Sequence, residues 1–96
     1  MVTKRQVRIS DSYIEAFCIK LGRNNLIGLI GKKGYIMCGY LDLKTADKFE
    51  EIGVKITGVS TIDEALKSKV HSLSHKAGKA GIFKGQPIKD VIKIIA

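Results

Sequence analysis

Residues 13–42 read YIEAFCIKLGRNNLIGLIGKKGYIMCGYLD, and this stretch decides the fold class. It contains runs rich in apolar, β-branched and aromatic residues, which favour β-strands over 13–21, 26–30 and 35–41. Turn-forming residues separate the runs, at 22–25 and 31–34. Strands joined by short turns predict an antiparallel meander, and the alternation at residues 7–10 predicts a short strand before it.

Helical periodicity begins after Asp42, where apolar residues recur every three positions at Leu43, Ala46, Phe49 and Ile52. This stripe predicts a helix that Asp42 caps and that Gly53 ends. The alternation over residues 54–59 then predicts a strand.

Three short helices are predicted in the remainder of the chain. Thr61 and Glu64 have the spacing of a capping box, which predicts a helix over 62–68. A second helix is predicted over 72–80. A third follows Pro87, because apolar residues then lie on one helical face at Ile88, Val91, Ile92 and Ile95.

These elements predict an α+β protein with an N-terminal antiparallel β-meander, followed by a strand and by short helices packed on the sheet. We expect one domain over residues 1–96, β-rich to about residue 41 and mainly helical with one strand from about residue 42.

The β-rich part is apolar on both faces, unlike a sheet with one solvated face. On the second predicted strand, for example, Phe17, Ile19 and Leu21 alternate with Ile14, Ala16 and Cys18. The short helices can cover one face, so we expect a second copy of the chain to cover the other. The alternative is a monomer whose helices divide over both faces.

Composition limits the class of protein. No apolar run approaches the ~20 residues of a membrane-spanning helix, and no signal-peptide pattern follows the basic N-terminus. Two cysteines are too few for a disulfide framework, so we expect reduced thiols in the cytoplasm. No dinucleotide or phosphate-loop motif is present, and we expect neither a cofactor nor a membrane partner.

Positive charge is concentrated at the C-terminus. Residues 67–96 hold seven lysines and one acidic residue, and so carry +6 of the net charge of +8. A polyanion such as nucleic acid is therefore a possible partner, through a patch of Lys67, Lys69, His71, His75, Lys76, Lys79 and Lys84. The competing interpretation is compositional bias, because 14 of the 17 basic residues are lysine and isoleucine is also abundant. We favour the second interpretation. Few aromatic residues accompany the lysines, which argues against a platform for single-stranded nucleic acid but leaves electrostatic contact open.

Two groups of side chains are candidates for chemistry. Cys38 precedes Gly39 at the end of an apolar strand, and Asp42 follows where a helix begins. This arrangement is compatible with a reactive thiol and a binding carboxylate, or with a buried cysteine and a helix cap. His71 and His75 have a spacing that brings ligands together on a helix, but nothing nearby in sequence completes a metal site. We therefore expect two solvated histidines and no metal.

Two segments resemble a known family. They are Gly34-Tyr35-Ile36-Met37-Cys38-Gly39-Tyr40-Leu41-Asp42 and Gly58-Val59-Ser60-Thr61-Ile62-Asp63-Glu64-Ala65-Leu66. Together they are similar to the small bacterial and archaeal proteins grouped as domain of unknown function 1805. The resemblance implies a β-rich N-terminal region that forms a tetramer, and it implies no known reaction. The motif positions that would form a site are Tyr35, Cys38, Asp42, Thr61 and Asp63.

The sequence thus leaves three functional hypotheses. The favoured one is a cytoplasmic homo-oligomer with a ligand-binding or regulatory role, whose site lies near the junction between Cys38 and Asp42. The second is binding of nucleic acid or another polyanion through the lysine-rich C-terminal third. The third is a thiol-dependent enzyme that uses Cys38 as its nucleophile.

Overall fold

The computed structural model describes residues 2–96. Its strands and helices follow one another as β1 (Val2–Ile9), β2 (Ser12–Leu21), β3 (Asn24–Ile30), β4 (Gly34–Met37), α1 (Leu43–Lys48), β5 (Ile52–Lys55), α2 (Ile62–Lys67), β6 (Ser72–Leu73), α3 (His75–Lys79) and α4 (Ile88–Ile95). The six strands form one sheet in sequence order. The α+β class, the N-terminal meander and the helices packed on the sheet are confirmed.

One pair of strands differs from the rest. Neighbouring strands are antiparallel, except that β4 and β5 are parallel and place Ile36 opposite Val54. Parallel neighbours need a crossover connection, which here contains α1. The carboxyl ends of β4 and β5 therefore meet at the same edge of the sheet.

The core lies between one face of the sheet and helices α2 and α4. Ile88, Val91, Ile92 and Ile95 are all fully buried, as their spacing predicts. They pack in one cluster with Ile14, Ala16, Ile27, Leu29, Ile36 and Val54 of the sheet and with Ile62 and Ala65 of α2. The helix after Pro87 and the helix that Thr61 caps are thus confirmed.

The other face of the sheet is covered at one end only. Helices α1 and α3 contact β5, and Ala46 of α1 lies 3.0 Å from the position that a Cβ would take at Gly53. Strands β1 to β3 pack their core face on α2 and α4. On the opposite face, β1 to β3 and the end of β4 carry residues that are exposed or only partly buried. We call it the open face, with the residues Val2, Lys4, Glu15, Phe17, Ile19, Ile30 and Met37.

The helix predicted from Leu43 to Ile52 was wrong in its length. Helix α1 ends at Lys48, Phe49 is 63% exposed, and Ile52 begins β5. Only Ala46 of the predicted stripe is buried. The chain leaves the helix because Glu50 takes a left-handed conformation (φ +54°), which directs Ile52 into the sheet beside β4.

Three strand boundaries also differ from prediction. The first strand runs from Val2 rather than residue 7, because backbone pairing with β2 holds its exposed polar half. Strand β4 stops at Met37, where a turn closed by the Leu41 N–H donating to the Cys38 carbonyl (3.0 Å) replaces the expected continuation to Leu41. The strand predicted over 54–59 lies at Ile52–Lys55.

The helix predicted over 72–80 is two elements. Ser72 and Leu73 form β6, because Leu73 pairs with Val54 of β5. Helix α3 then occupies only His75–Lys79, with Ser74 as its cap. The Ser74 hydroxyl accepts from the N–H of Gly53 (3.0 Å) and donates to the Glu51 carbonyl (2.7 Å), so it also ties α3 to the start of β5.

Candidate functional site

A cleft opens at the sheet edge where the parallel strands β4 and β5 end. Its volume is about 480 Å³. Three segments line it, namely the start of β3, the turn after β4 and the loop after β5, with the residues Asn24, Asn25, Cys38, Gly39, Tyr40, Thr57, Gly58, Val59 and Ser60. We call it the strand-end cleft.

Hydrogen bonds hold the loop between β5 and α2 against the sheet. The Asn25 side-chain amide donates to the Ser60 carbonyl over 2.8 Å. The Ser60 N–H in turn donates to the Glu64 carboxylate (2.7 Å), and the Thr61 hydroxyl accepts from the Glu64 N–H (3.0 Å). Gly58 has φ +71°, a conformation that glycine adopts without strain. The loop wall of the cleft is therefore anchored at the end that leads into α2.

Cys38 lies at the base of this cleft and is 5% exposed. Its sulfur accepts a weak hydrogen bond from the Ile27 N–H (3.4 Å) and faces the Asn25 carbonyl at 3.8 Å. Both contacts are with the backbone, because a thiol accepts weakly from an N–H and donates weakly to a carbonyl. No lysine, arginine or histidine lines the cleft to stabilise a thiolate.

Gly39 leaves room in the cleft. A Cβ built at this residue meets no atom within 4 Å, and its φ is not positive. Neither backbone conformation nor crowding within the chain therefore requires glycine at this position. The neighbouring Tyr40 is 55% exposed at the rim.

The structure separates the five motif positions that the family resemblance implies. Cys38 lines the strand-end cleft and Thr61 directly follows its last lining residue. The Asp42 carboxylate caps α1 by accepting from the Lys44 N–H (3.0 Å) and the Thr45 hydroxyl (3.1 Å). Asp63 forms an ion pair with Arg5 of β1.

Tyr35 lies at the opposite end of β4, on the other face of the sheet from Cys38. Its hydroxyl donates to the Glu51 carboxylate over 2.8 Å. Burial raises the pKa of Tyr35 to about 12, assisted by the hydrogen bond and the negative charge of Glu51. Tyr35 and Glu51 belong to a different depression of about 310 Å³, which also contains Lys32, Lys33 and Lys76.

The candidate polyanion residues are exposed but divided among several elements. Lys67 ends α2, and Lys69, His71 and Lys84 lie in connecting segments. His75, Lys76 and Lys79 of α3 share a depression with Asp47 and Glu50. These acidic neighbours reduce the positive potential at α3.

The two histidines do not face a common ligand. His71 precedes β6, with its backbone N–H donating to the Lys55 carbonyl (2.9 Å), whereas His75 begins α3. The Asp47 carboxylate accepts from the His75 N–H (2.8 Å) and lies 3.9 Å from its ring. Among residues 2–96, no group of three or more His, Cys, Asp or Glu side chains is arranged to hold a metal ion.

Sequence reasoning missed most of the lining of the strand-end cleft. Asn24 and Asn25 were assigned to a turn, although they begin β3, and residues 57–60 were assigned largely to a strand. Gly39 and Gly58 were the available signals, since glycines beside strand ends often mark a close approach or a turn. No helix within the described part of the chain is both long and apolar enough to cross a membrane.

The geometry defines a class of small α+β proteins with a mixed sheet, helices on its core face and a polar cleft at the end of its parallel strand pair. Residues 37–95 match the family described as Domain of unknown function (DUF1805), and the chain belongs to this family. It is 30% identical to the uncharacterised protein YunC of Bacillus subtilis (strain 168), over 96% of this chain and 95% of that protein. It also resembles the crystal structure of TA1206 from Thermoplasma acidophilum, a protein of unknown function. That similarity has a TM-score of 0.95 and 35% identity, and it covers 100% of this chain and 94% of the other.

Proposed function

We propose that this protein is a homo-oligomer that binds a small molecule in the strand-end cleft. The observation that carries the proposal is the position and lining of that cleft, about 480 Å³ in volume, where β4 and β5 end side by side. Ligands of open α/β sheets bind beyond the carboxyl ends of parallel strands, and ligand pockets commonly measure ~300–1,000 Å³.

Binding rather than catalysis is the role we propose. An activated cysteine needs a nearby base or cation, and the cleft lining supplies neither to Cys38. The residues around it are amides, hydroxyls and glycines, which recognise a ligand by hydrogen bonding. The thiol-enzyme hypothesis is therefore the weaker one, as is polyanion binding, because the lysines of α3 have acidic neighbours.

The proposed oligomer forms through the open face, with a second copy of the chain as the occupant. Cross-strand pairing brings its apolar residues into adjoining rows: Val2 lies opposite Ile19, and Phe17 lies opposite Gly28, which lies opposite Met37. Lys4 and Glu15 supply one charge of each sign on the same surface. A surface of this kind is self-complementary when two copies meet around a two-fold axis. The family resemblance favours a tetramer, and the two free cysteines favour the reducing cytoplasm.

Native mass spectrometry of the protein as purified from cells, without added ligand, tests both the oligomer and the bound small molecule. We expect an assembly of four subunits of 10.5 kDa that carries an additional bound mass. A single bare subunit would contradict the oligomer. An assembly that is bare in every charge state would contradict a ligand tight enough to survive purification.

A variant that fills the cleft locates the bound mass. Gly39→Leu projects a side chain into unoccupied space, so we expect normal folding and loss of the ligand. Gly78→Leu is the matched control, because Gly78 is exposed in α3 and its Cβ position has only ordinary contacts, the nearest at 3.6 Å. If both variants retain the mass, the ligand binds elsewhere.

A further inference from the structure

The strand-end cleft presents almost no charge to a ligand. Of its lining residues, all within the described chain, only Cys38 and Tyr40 have ionisable side chains. Cys38 is buried, with its sulfur facing the Asn25 carbonyl at 3.8 Å. A charged group that enters a partly desolvated site without a counter-charge loses hydration that nothing replaces. The lining therefore favours an uncharged ligand.

The nearest charged residues along the chain do not alter this conclusion. Lys55 precedes Thr57 by two residues, but it pairs with Met37 and so lies on the face of the sheet opposite Cys38. Arg23 precedes the lining residue Asn24, but it lies in the exposed turn between β2 and β3 and is not part of the lining. Asp42 follows Tyr40 closely, yet its carboxylate accepts two hydrogen bonds within the α1 cap. Glu64 is likewise occupied by the Ser60 N–H.

The polar groups of the lining can recognise a ring edge. A carboxamide presents a donor and an acceptor side by side, which matches the adjacent acceptor and donor on the edge of a nucleobase. Asn25 uses one amide hydrogen on the Ser60 carbonyl, which leaves its other hydrogen and its oxygen for a ligand. Asn24 also lines the cleft, but it precedes Asn25 on β3 and its side chain therefore lies on the opposite face of the strand, so the edge contact is assigned to Asn25 alone.

An aromatic surface is available at the rim. Tyr40 is 55% exposed and follows Gly39, which has no side chain to separate the ring from a molecule in the cleft. Exposed aromatic rings stack on flat heterocycles, whichever base is presented. The ring of Tyr40 and the Asn25 amide together match the face and the edge of a flat heterocycle.

We propose that the strand-end cleft binds an uncharged nucleobase or nucleoside, with Tyr40 against the ring and the Asn25 amide at its edge. This inference rests on the proposed function of the cleft and adds the class of ligand to it. The ligand carries no phosphate in the cleft, since the lining supplies no cation to receive one.

Isothermal titration calorimetry of the full-length protein tests the proposed class of ligand. The titrants are adenosine, guanosine, cytidine and uridine, with their 5′-monophosphates and glucose for comparison. We expect saturable binding of at least one nucleoside, no tighter binding of its monophosphate, and no binding of glucose.

Variants of Tyr40 test whether its ring contacts the nucleoside. Tyr40→Ala should weaken nucleoside binding about tenfold, the size of effect that loss of one stacking ring produces, and Tyr40→Phe should keep it within about threefold. Phe83→Ala is the matched control, because Phe83 is 59% exposed and lies outside the cleft. It should leave the affinity unchanged.

Different outcomes would contradict the proposed class of ligand and the proposal that the cleft is the binding site. Monophosphate binding more than tenfold tighter than nucleoside binding, or an affinity indifferent to Tyr40→Ala, would reject the uncharged-ring proposal. If no nucleoside binds while a different co-purified mass is lost in Gly39→Leu, the ligand class is wrong and the cleft remains the site. If no nucleoside binds and Gly39→Leu changes no bound mass, both proposals fail.

Discussion

Glu50 has a positive φ, a conformation that only Ser10 shares among the residues other than glycine in the described chain. It has φ +54° directly after α1, where helices most often place glycine. Its N–H donates to the Asp47 carbonyl (3.1 Å) and the Glu51 N–H donates to the Ala46 carbonyl (2.9 Å), which together form a Schellman motif. The hydrogen bonds of this motif hold the backbone of Glu50 in the left-handed conformation, which costs about 1–2 kcal/mol for most residues other than glycine.

Replacing this residue with glycine should stabilise the protein. Glu50→Gly relieves the left-handed strain, and we expect the free energy of unfolding to rise by about 1 kcal/mol in urea titrations. Glu50→Ala is the control, because it removes the charge and keeps the Cβ that causes the strain. Equal stabilisation by both variants would show that charge, and not backbone conformation, limits stability here.

Tyr35 should couple stability to alkaline pH. Its pKa is about 12 in the folded protein, against 10.0 ordinarily, because it is partly buried and donates to Glu51. Between these values the folded protein keeps a proton that the unfolded chain has lost, so this contribution to stability is complete below pH 10 and declines as pH rises.

The measurement is the free energy of unfolding across pH 10 to 12, the interval between the two pKa values. The wild type should lose stability more steeply than Tyr35→Phe. Tyr13→Phe is the matched control, since Tyr13 is 51% exposed, and it should keep the wild-type slope. A Tyr35→Phe slope equal to the wild type would mean that Tyr35 ionises alike in both states.

At the scale of elements, the loop between β3 and β4 depends on the end of α4. The Lys33 N–H donates to the Ile95 carbonyl over 2.8 Å, which satisfies one of the free acceptors at the helix C-terminus. Gly31 permits this approach, since a Cβ there would lie 2.2 Å from the Ile95 oxygen. The loop and the helix end therefore form one packed unit at the edge of the core.

A methyl group at this contact should separate the loop from the helix. Gly31→Ala places a Cβ against backbone atoms, which cannot move away as a flexible side chain can. We expect the free energy of unfolding to fall by about 1–3 kcal/mol. Gly39→Ala adds the same methyl group where nothing lies within 4 Å, and it should change stability little. Comparable losses in the two variants would contradict the steric account.

At the scale of the whole molecule, the helices leave the open face of the sheet uncovered along β1 to β3. Phe17 lies across Gly28, where a Cβ would come within 2.3 Å of its ring, and Ile30 is 47% exposed beside it on the sheet. Exposed apolar surface that is continuous over neighbouring strands usually marks an interface. Self-association through this face is the property that we propose on that basis.

A single charge should dissociate the assembly without unfolding the subunit. Ile30→Lys places an ammonium group on the open face, opposite Glu15 on the neighbouring strand, which can pair with it in the free subunit. We expect the mass measured by light scattering to fall toward 10.5 kDa while circular dichroism is unchanged. Phe49→Lys, at a 63% exposed residue of the α1 C-cap, should leave the mass at its wild-type value. A full-size Ile30→Lys assembly would exclude this part of the face from the interface.

Much of the fold could be predicted from local sequence, because the residues that determine each of these elements lie close together along the chain. The stripe from Ile88 to Ile95 determines a helix and its buried side, and the pairing of Thr61 with Glu64 determines where α2 begins. The apolar runs of β2 and β3, with a turn between them, likewise determine two paired strands. The family motif determines membership, and it includes Cys38 of the cleft.

Only the tertiary structure decided what depends on residues distant in sequence. Ile52 continues the apolar stripe of α1, yet it joins β5 because parallel pairing with Gly34 of β4 competes with helix propagation. The strand-end cleft has the same origin, since Asn25 and Ser60 are 35 residues apart and meet over a 2.8 Å hydrogen bond. Local periodicity reports which face of an element is buried, but it contains no information about which strand lies beside it. The register of the sheet supplies that information, and with it the position of the candidate site.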